Sequence, residues 1–249
     1  MGMSPRNAIA AAAVSSTAAV TAVLLLAPSA ADAAALGRWG QTVAEGAGAL
    51  ACGLAARHTR GRARPVWAPF SLALAIRAIT DGAYAATLAA GVAVPGISVF
   101  DLGWLAFYVP LVTGVALLYL RLRPERGWQG VLDGMTLTLA IAALTWAIFL
   151  QPLAGEDSGE VVATLLAGLY PAIDLVCLAA LGWIVLRQRR TPRWLRWIVA
   201  ALAFQAVAGF AHLVSTAYDH DVSALAVAAF MAAGWLWALA GAERLAAPE

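Results

Sequence analysis

Apolar runs of about 20 residues recur along the whole chain, and every second connection between them is studded with arginine. A bilayer core of roughly 30 Å takes about 20 helical residues at about 1.5 Å each, so runs of this length are read as candidate membrane spans. Eight qualify: residues 8–27, 36–56, 66–91, 98–120, 130–151, 161–186, 195–218 and 222–245. None shows the alternation of apolar and polar residues that the wall of a membrane β-barrel requires. The expected fold is an all-α integral membrane protein of eight transmembrane helices arranged as consecutive antiparallel hairpins. Hydrophobic residues make up 62% of the chain and charged residues 12%, against about 25% charged in a soluble domain, which excludes a soluble enzyme or a disordered tail. The two cysteines, Cys52 and Cys177, lie inside apolar runs, where thiols are buried and reduced rather than disulfide-bonded.

Orientation follows from charge. Arg57, Arg60, Arg62 and Arg64 follow the second span, Arg121, Arg123 and Arg126 the fourth, and Arg187, Arg189, Arg190, Arg193 and Arg196 the sixth. The alternate connections carry Asp32, then Glu156, Asp157 and Glu160, then Asp219 and Asp221. Under the positive-inside rule the arginine connections are cytoplasmic, and Arg6 and Arg244 place both termini on the same side. Trp67, Trp128, Trp194 and Trp197 at the inner ends and Trp39 and Trp104 at the outer ends read as interfacial anchors.

Residues 1–35 form either a first transmembrane helix or a signal peptide, and residues 36–249 a seven-helix bundle. Arg6, the Ala-rich stretch, Pro28 and Ala31-Asp32-Ala33 match a secretory signal, but an apolar stretch of about 20 residues is long for one, which favours retention. Cleavage would leave seven helices. The third and fourth, fifth and sixth, and seventh and eighth spans make three hairpins that run in the same direction, as parallel repeats do.

Charges inside the bilayer are costly and are read as functional candidates by default. They are Glu45, Arg77, Asp81, Asp174 and His212. Arg77 and Asp81, four apart, share a helix face, and Glu45 on the antiparallel neighbour is at a depth to reach Arg77. This trio reads either as a structural clamp or as an anion-binding or proton-linked pocket around Arg77. Asp174 has no evident cation. It follows Tyr170-Pro171, where the proline frees a backbone carbonyl on the preceding turn. His212 and His220 with Asp219 and Asp221 are the one conceivable metal set. An eight-residue spacing separates the imidazoles by roughly 12 Å along the helix, too far for one ion, so no metal site is expected. His58 falls in a cytoplasmic connection and supplies no second axial ligand for haem. No cofactor is expected.

All 16 basic residues are arginine, so no lysine exists to form a retinal Schiff base. No H-E-x-x-H, G-x-S-x-G or P-loop spacing occurs, and the chain is not expected to be an enzyme.

Four stretches carry a resemblance: residues 76–84 (IRAITDGAY), 97–111 (ISVFDLGWLAFYVPL), 131–151 (VLDGMTLTLAIAALTWAIFLQ) and 169–178 (LYPAIDLVCL). Over roughly residues 36–245 the chain resembles the multi-pass membrane input regions at the amino termini of actinobacterial GGDEF/EAL proteins, which make or degrade cyclic di-GMP. The stretch Tyr170-Pro171-Ala172-Ile173-Asp174-Leu175 is similar to that family's Tyr-Pro-x-x-Asp-Leu signature. The resemblance implies a bacterial plasma-membrane sensory or scaffolding module that passes a membrane or extracellular cue to a cytoplasmic output. Its implied partners are the bilayer and either a second copy or a cytoplasmic signalling domain, not nucleic acid. Two features depart from the family: the chain reaches Glu249 with no GGDEF or EAL segment, and Arg77 stands where an uncharged residue is expected. The competing expectation is a small transporter or channel that uses the intramembrane charges as a polar path.

Overall fold

A computed structural model describes residues 30–59, 64–95, 97–122, 158–188, 190–218 and 223–246, together with positions 136, 140, 143 and 147. The described residues form six helices: α1 (Ala30–His58), α2 (Arg64–Ala89), α3 (Val99–Leu122), α4 (Ser158–Arg187), α5 (Arg193–Tyr218) and α6 (Ser223–Ala246). There is no strand among them. Six of the eight expected spans coincide with these helices. The first, 8–27, and the fifth, 130–151, lie outside the described residues apart from the four isolated positions. Ala31-Asp32-Ala33 lies within α1, which begins six residues before the expected span.

Five helical segments are long and apolar enough to cross a membrane: Pro65–Ala89, Val99–Leu122, Gly168–Leu186, Arg193–Ser215 and Ala224–Ala246. The chain is a multi-pass helical membrane protein. The exception is α1, whose many Ala and Gly residues and whose polar Arg38, Gln41 and Glu45 lower its hydropathy. It is held by its neighbours instead.

Each helix packs mainly on those before and after it in the chain, and α6 returns to pack on α1, closing a ring of six. Along this ring α1 and α2 are antiparallel, as are α2 and α3: Thr42 lies by Gly82 and Ser71 by Gly53, while Thr80 meets Gly103 and Phe70 meets Gly114. The α6–α1 and α3–α4 contacts are parallel. Gly234 meets Ala44 and Gly241 meets Ala51, and Tyr170 contacts both Asp101 and Tyr108 while Asp174 contacts Tyr108. Parallel α3 and α4 leave the end of α3 and the start of α4 at opposite ends of the bundle. Arg57, Arg121, Arg193, Arg196 and Arg244 consequently gather at one end, as the alternation of charge along the sequence demands.

The ends of the α2–α3 hairpin are closed by local chemistry. Gly91, at φ 71°, stands just past α2. Its N–H donates to Leu88 O at 2.9 Å and that of Val92 to Thr87 O at 3.2 Å, the paired bonds of a Schellman cap. At the start of α3, the Ser98 N–H donates to Asp101 Oδ2 at 2.7 Å, the carboxylate half of a capping box.

Lipid provides no hydrophobic drive for one helix to leave it for another, so association relies on close contact through small residues. The α1–α6 seam is of this kind. A Cβ on Gly234 would lie 2.8 Å from the backbone of Ala44 and Glu45, and one on Gly241 2.6 Å from that of Ala51. In the arginine-bearing half, large side chains fill the ring: Phe70 sits on Gly114 and packs on Trp237 at 4.8 Å, and Trp67 packs on Trp194 at 5.7 Å. Trp67, only 2% exposed, is therefore a core residue and not the interfacial anchor expected of it. Trp39, at 43% exposure, keeps the outward position expected. Cys52 and Cys177 are buried and unpaired.

Replacing Gly241 by Val is expected to push α6 off α1 and destabilise the fold by about 1–3 kcal/mol or more. Gly182→Ala, where a Cβ meets nothing within 4 Å, should be near neutral. Thermal unfolding in detergent compares the two.

Candidate functional site

The polar side chains on α1 are spaced by three and four residues, so Arg38, Gln41 and Glu45 share one face. That face meets the Arg77–Asp81 face of α2. Arg77 Nε lies 2.9 Å from Glu45 Oε1 and 3.6 Å from Asp81 Oδ2, so the expected trio forms, with the inter-helix partner the nearer. Gln41 binds the two carboxylates together, its Nε2 donating to Glu45 Oε1 at 3.0 Å and to Asp81 Oδ2 at 2.8 Å. Asp81 Oδ1 also accepts from Arg38 at 3.4 Å and from the Trp104 indole at 3.1 Å. Trp104 is thus committed to the polar centre and is not the simple interfacial anchor expected.

Two cations and two carboxylates make this cluster formally neutral, which is what a low-dielectric interior demands of buried charge. Aromatic rings complete its enclosure. The Arg77 guanidinium carbon lies 4.2 Å from the Phe230 ring centroid and 5.0 Å from that of Phe107, and that of Arg38 lies 5.2 Å from the centroid of Tyr84.

A second cluster surrounds Asp174, which is fully buried. Tyr108 donates to Asp174 Oδ2 at 3.1 Å and to Tyr170 O at 3.2 Å, and Gln205 donates to Asp174 Oδ1. Among the described residues the carboxylate forms no ion pair, and it accepts from neutral donors on α3 and α5. A backbone acceptor in use is that of Tyr170, immediately before the proline. The Tyr170 ring stacks on Tyr108 at 5.9 Å and its hydroxyl donates to Asp101 Oδ1 at 3.1 Å, so the helix cap of α3 is tied to α4.

The two clusters share a cavity of about 40 Å³ at the centre of the ring. Every helix contributes to its wall: Arg38 from α1, Arg77 from α2, Trp104 and Tyr108 from α3, Tyr170 from α4, Gly209 and His212 from α5, and Phe230 from α6. All five expected candidates are therefore brought together. Arg77 and His212 line the cavity, Glu45 and Asp81 stand behind Arg77, and Asp174 stands behind Tyr108. Asp219, His220 and Asp221 lie outside the described residues, and no group of three potential metal ligands occurs among those described.

Arg38, Gln41, Tyr108 and Gln205 were not singled out as site residues on sequence. The signal was present for three of them: Arg38 and Gln41 complete a polar stripe ending at Glu45, and Gln205 is a lone amide in mid-span. Tyr108 carries no such signal, because a tyrosine in an apolar helix reads as core.

No protein-family model matches this chain, and neither does any curated protein or solved structure.

Arg77→Ala would strand Glu45 and remove one of the two cations beside Asp81, and is expected to lower stability by about 3–5 kcal/mol. Adding Glu45→Ala should recover most of that loss. Adding Asp81→Ala should recover less, because Arg38, Gln41 and Trp104 then lose their acceptor. Equal recovery in thermal unfolding would show that Glu45 is not the dominant partner. Separately, Tyr108→Phe removes one of two donors to a buried carboxylate and should cost about 1–3 kcal/mol, measured in the same way.

Proposed function

We propose that the chain is a membrane-embedded sensory or input module of a bacterial signalling system, in which the central polar cavity receives a cue and the arginine-bearing end passes it on. In this proposal the protein has eight transmembrane helices in the plasma membrane, with the arginine connections and both termini cytoplasmic, and it is a relative of the input regions of GGDEF/EAL proteins.

One observation carries the choice between a sensor and a carrier. Among the described residues, the buried polar and charged residues other than Thr59 lie at the level of the helix midpoints or toward the end away from the arginines, while the other half holds buried polar atoms at Glu243 Oε1 and the indole nitrogens of Trp197 and Trp237. The other half is filled by Trp67, Phe70, Leu118, Ile184, Ile198 and Trp237, all no more than 2% exposed. A transport route needs polar groups on both sides of the midplane, alternately opened. A polar chamber above a dry plug instead suits a receptor whose occupied and empty states differ in packing. Arg77 and Phe70 stand two turns apart on α2, so a displacement of the guanidinium moves the ring wedged between Gly114 and Trp237.

A small transporter or channel is the second reading, favoured by the convergence of the charged candidates on one cavity. A paired experiment separates the two. Spin labels at Leu120→Cys and Leu186→Cys, both outward-facing near the arginine-bearing end, report its geometry in nanodiscs, the native cysteines being buried. Asp174→Asn is expected to change the label separation by about 1–2 Å, while proteoliposomes dissipate an imposed pH gradient no faster than empty vesicles. An unchanged separation removes the coupling on which the sensory proposal depends, and rapid dissipation would favour transport.

A further inference from the structure

Arg77 presents an imbalance that its ion pairs leave unresolved. Its side chain is only 8% exposed, yet its Nε, at 2.9 Å from Glu45 Oε1, makes no aligned hydrogen bond. A guanidinium carries five N–H donors in a planar fork, and buried donors are almost always satisfied. Phe230 and Phe107 cover the π faces, at 4.2 Å and 5.0 Å from ring centroid to guanidinium carbon. Only the edge of the fork remains for acceptors, and Arg77 borders the cavity.

The cavity wall has a matching polarity. Among the described residues it carries Arg38, Arg77 and His212 beside aromatic rings and no carboxylate. Glu45, Asp81, Asp101 and Asp174 all stand behind the wall, each engaged by groups that border the cavity. A small cation entering this space would meet guanidinium groups first. An acceptor-only species would meet donors. At about 40 Å³ the space exceeds the roughly 10–15 Å³ that one water occupies and is well below the about 150 Å³ of a cavity that takes benzene.

We infer that the cavity is a binding site for a small planar monovalent oxyanion, of the class of the one- and two-carbon carboxylates, held edge-on by the Arg77 guanidinium. Two coplanar oxygens complement a guanidinium edge as a spherical halide cannot. This deepens the sensory proposal by naming the chemistry of its cue, but binding is measured independently of signalling.

The probe is sodium formate, titrated at constant ionic strength onto the full chain in nanodiscs, with binding followed by 13C-formate NMR line broadening and by tryptophan fluorescence, Trp104 being on the wall. Saturable binding of formate and acetate is expected, with benzoate excluded and chloride a poor competitor. Arg77→Lys keeps a positive charge beside Glu45 and Asp81 but loses the fork, and should weaken formate by about tenfold or more. Absence of saturation, competition by chloride equal to that by acetate, or unchanged affinity in folded Arg77→Lys would each overturn the assignment. Should Arg77→Lys fail to fold, selectivity for formate and acetate over chloride and benzoate still decides it. The spin-label pair keeps the two proposals apart. Saturable formate binding without a change in the Leu120–Leu186 separation would sustain the site and sink the sensory role, whereas no binding alongside an Asp174→Asn response would do the reverse.

Discussion

A guanidinium in the middle of a membrane helix sets the terms for the rest of this protein. On an isolated helix in lipid, an arginine at the centre is unfavourable by about 2.5–3.5 kcal/mol even on the most lenient scale. Arg77 is tolerated because Glu45 is brought to 2.9 Å by α1 and Asp81 to 3.6 Å by α2 itself. Meeting that demand requires α1 to lie against α2 in one register. In turn Asp81 calls on Arg38, Gln41 and Trp104, which fixes α3. The polar network is therefore a register device as much as a store of stability.

The least apolar helix, α1, is the one most dependent on this network. It offers polar groups toward α2 and small residues toward α6, where backbone meets backbone at Gly234 and Gly241. Each side supplies what the other lacks. Polar contacts specify depth and rotation but tolerate some separation, whereas the glycine seam demands close approach and leaves rotation loosely defined. Together they close the ring.

Around the ring the polar and apolar halves divide the work. Toward one end, tyrosine, tryptophan and amide side chains give neutral hydrogen bonds to buried carboxylates, as around Asp81 and Asp174. Toward the arginines, Phe70 packs on both Trp67 and Trp237. Helix α2 spans both halves and carries both Arg77 and Phe70, so the chamber and the plug are parts of one rigid element. Close-packed interiors switch between discrete arrangements rather than deform smoothly, which is what the proposed sensory role requires.

The linear order of residues was enough to establish a helical membrane protein, the approximate extents of five of the six described helices, the gathering of arginines at one end and the Glu45–Arg77–Asp81 association. Each rests on a period or a penalty that acts locally: the length needed to cross lipid, the turn of a helix, the cost of an unpaired charge. What only tertiary structure decided is which faces meet. Closure of α6 on α1, the burial of Trp67, the turning of Trp104 toward Asp81 and the pairing of Tyr108 with Asp174 depend on rotations of whole helices about their axes. In helices that are apolar nearly all round, no amphipathic stripe encodes those rotations, so they are settled by glycine contacts and a few polar bonds between residues dozens of positions apart.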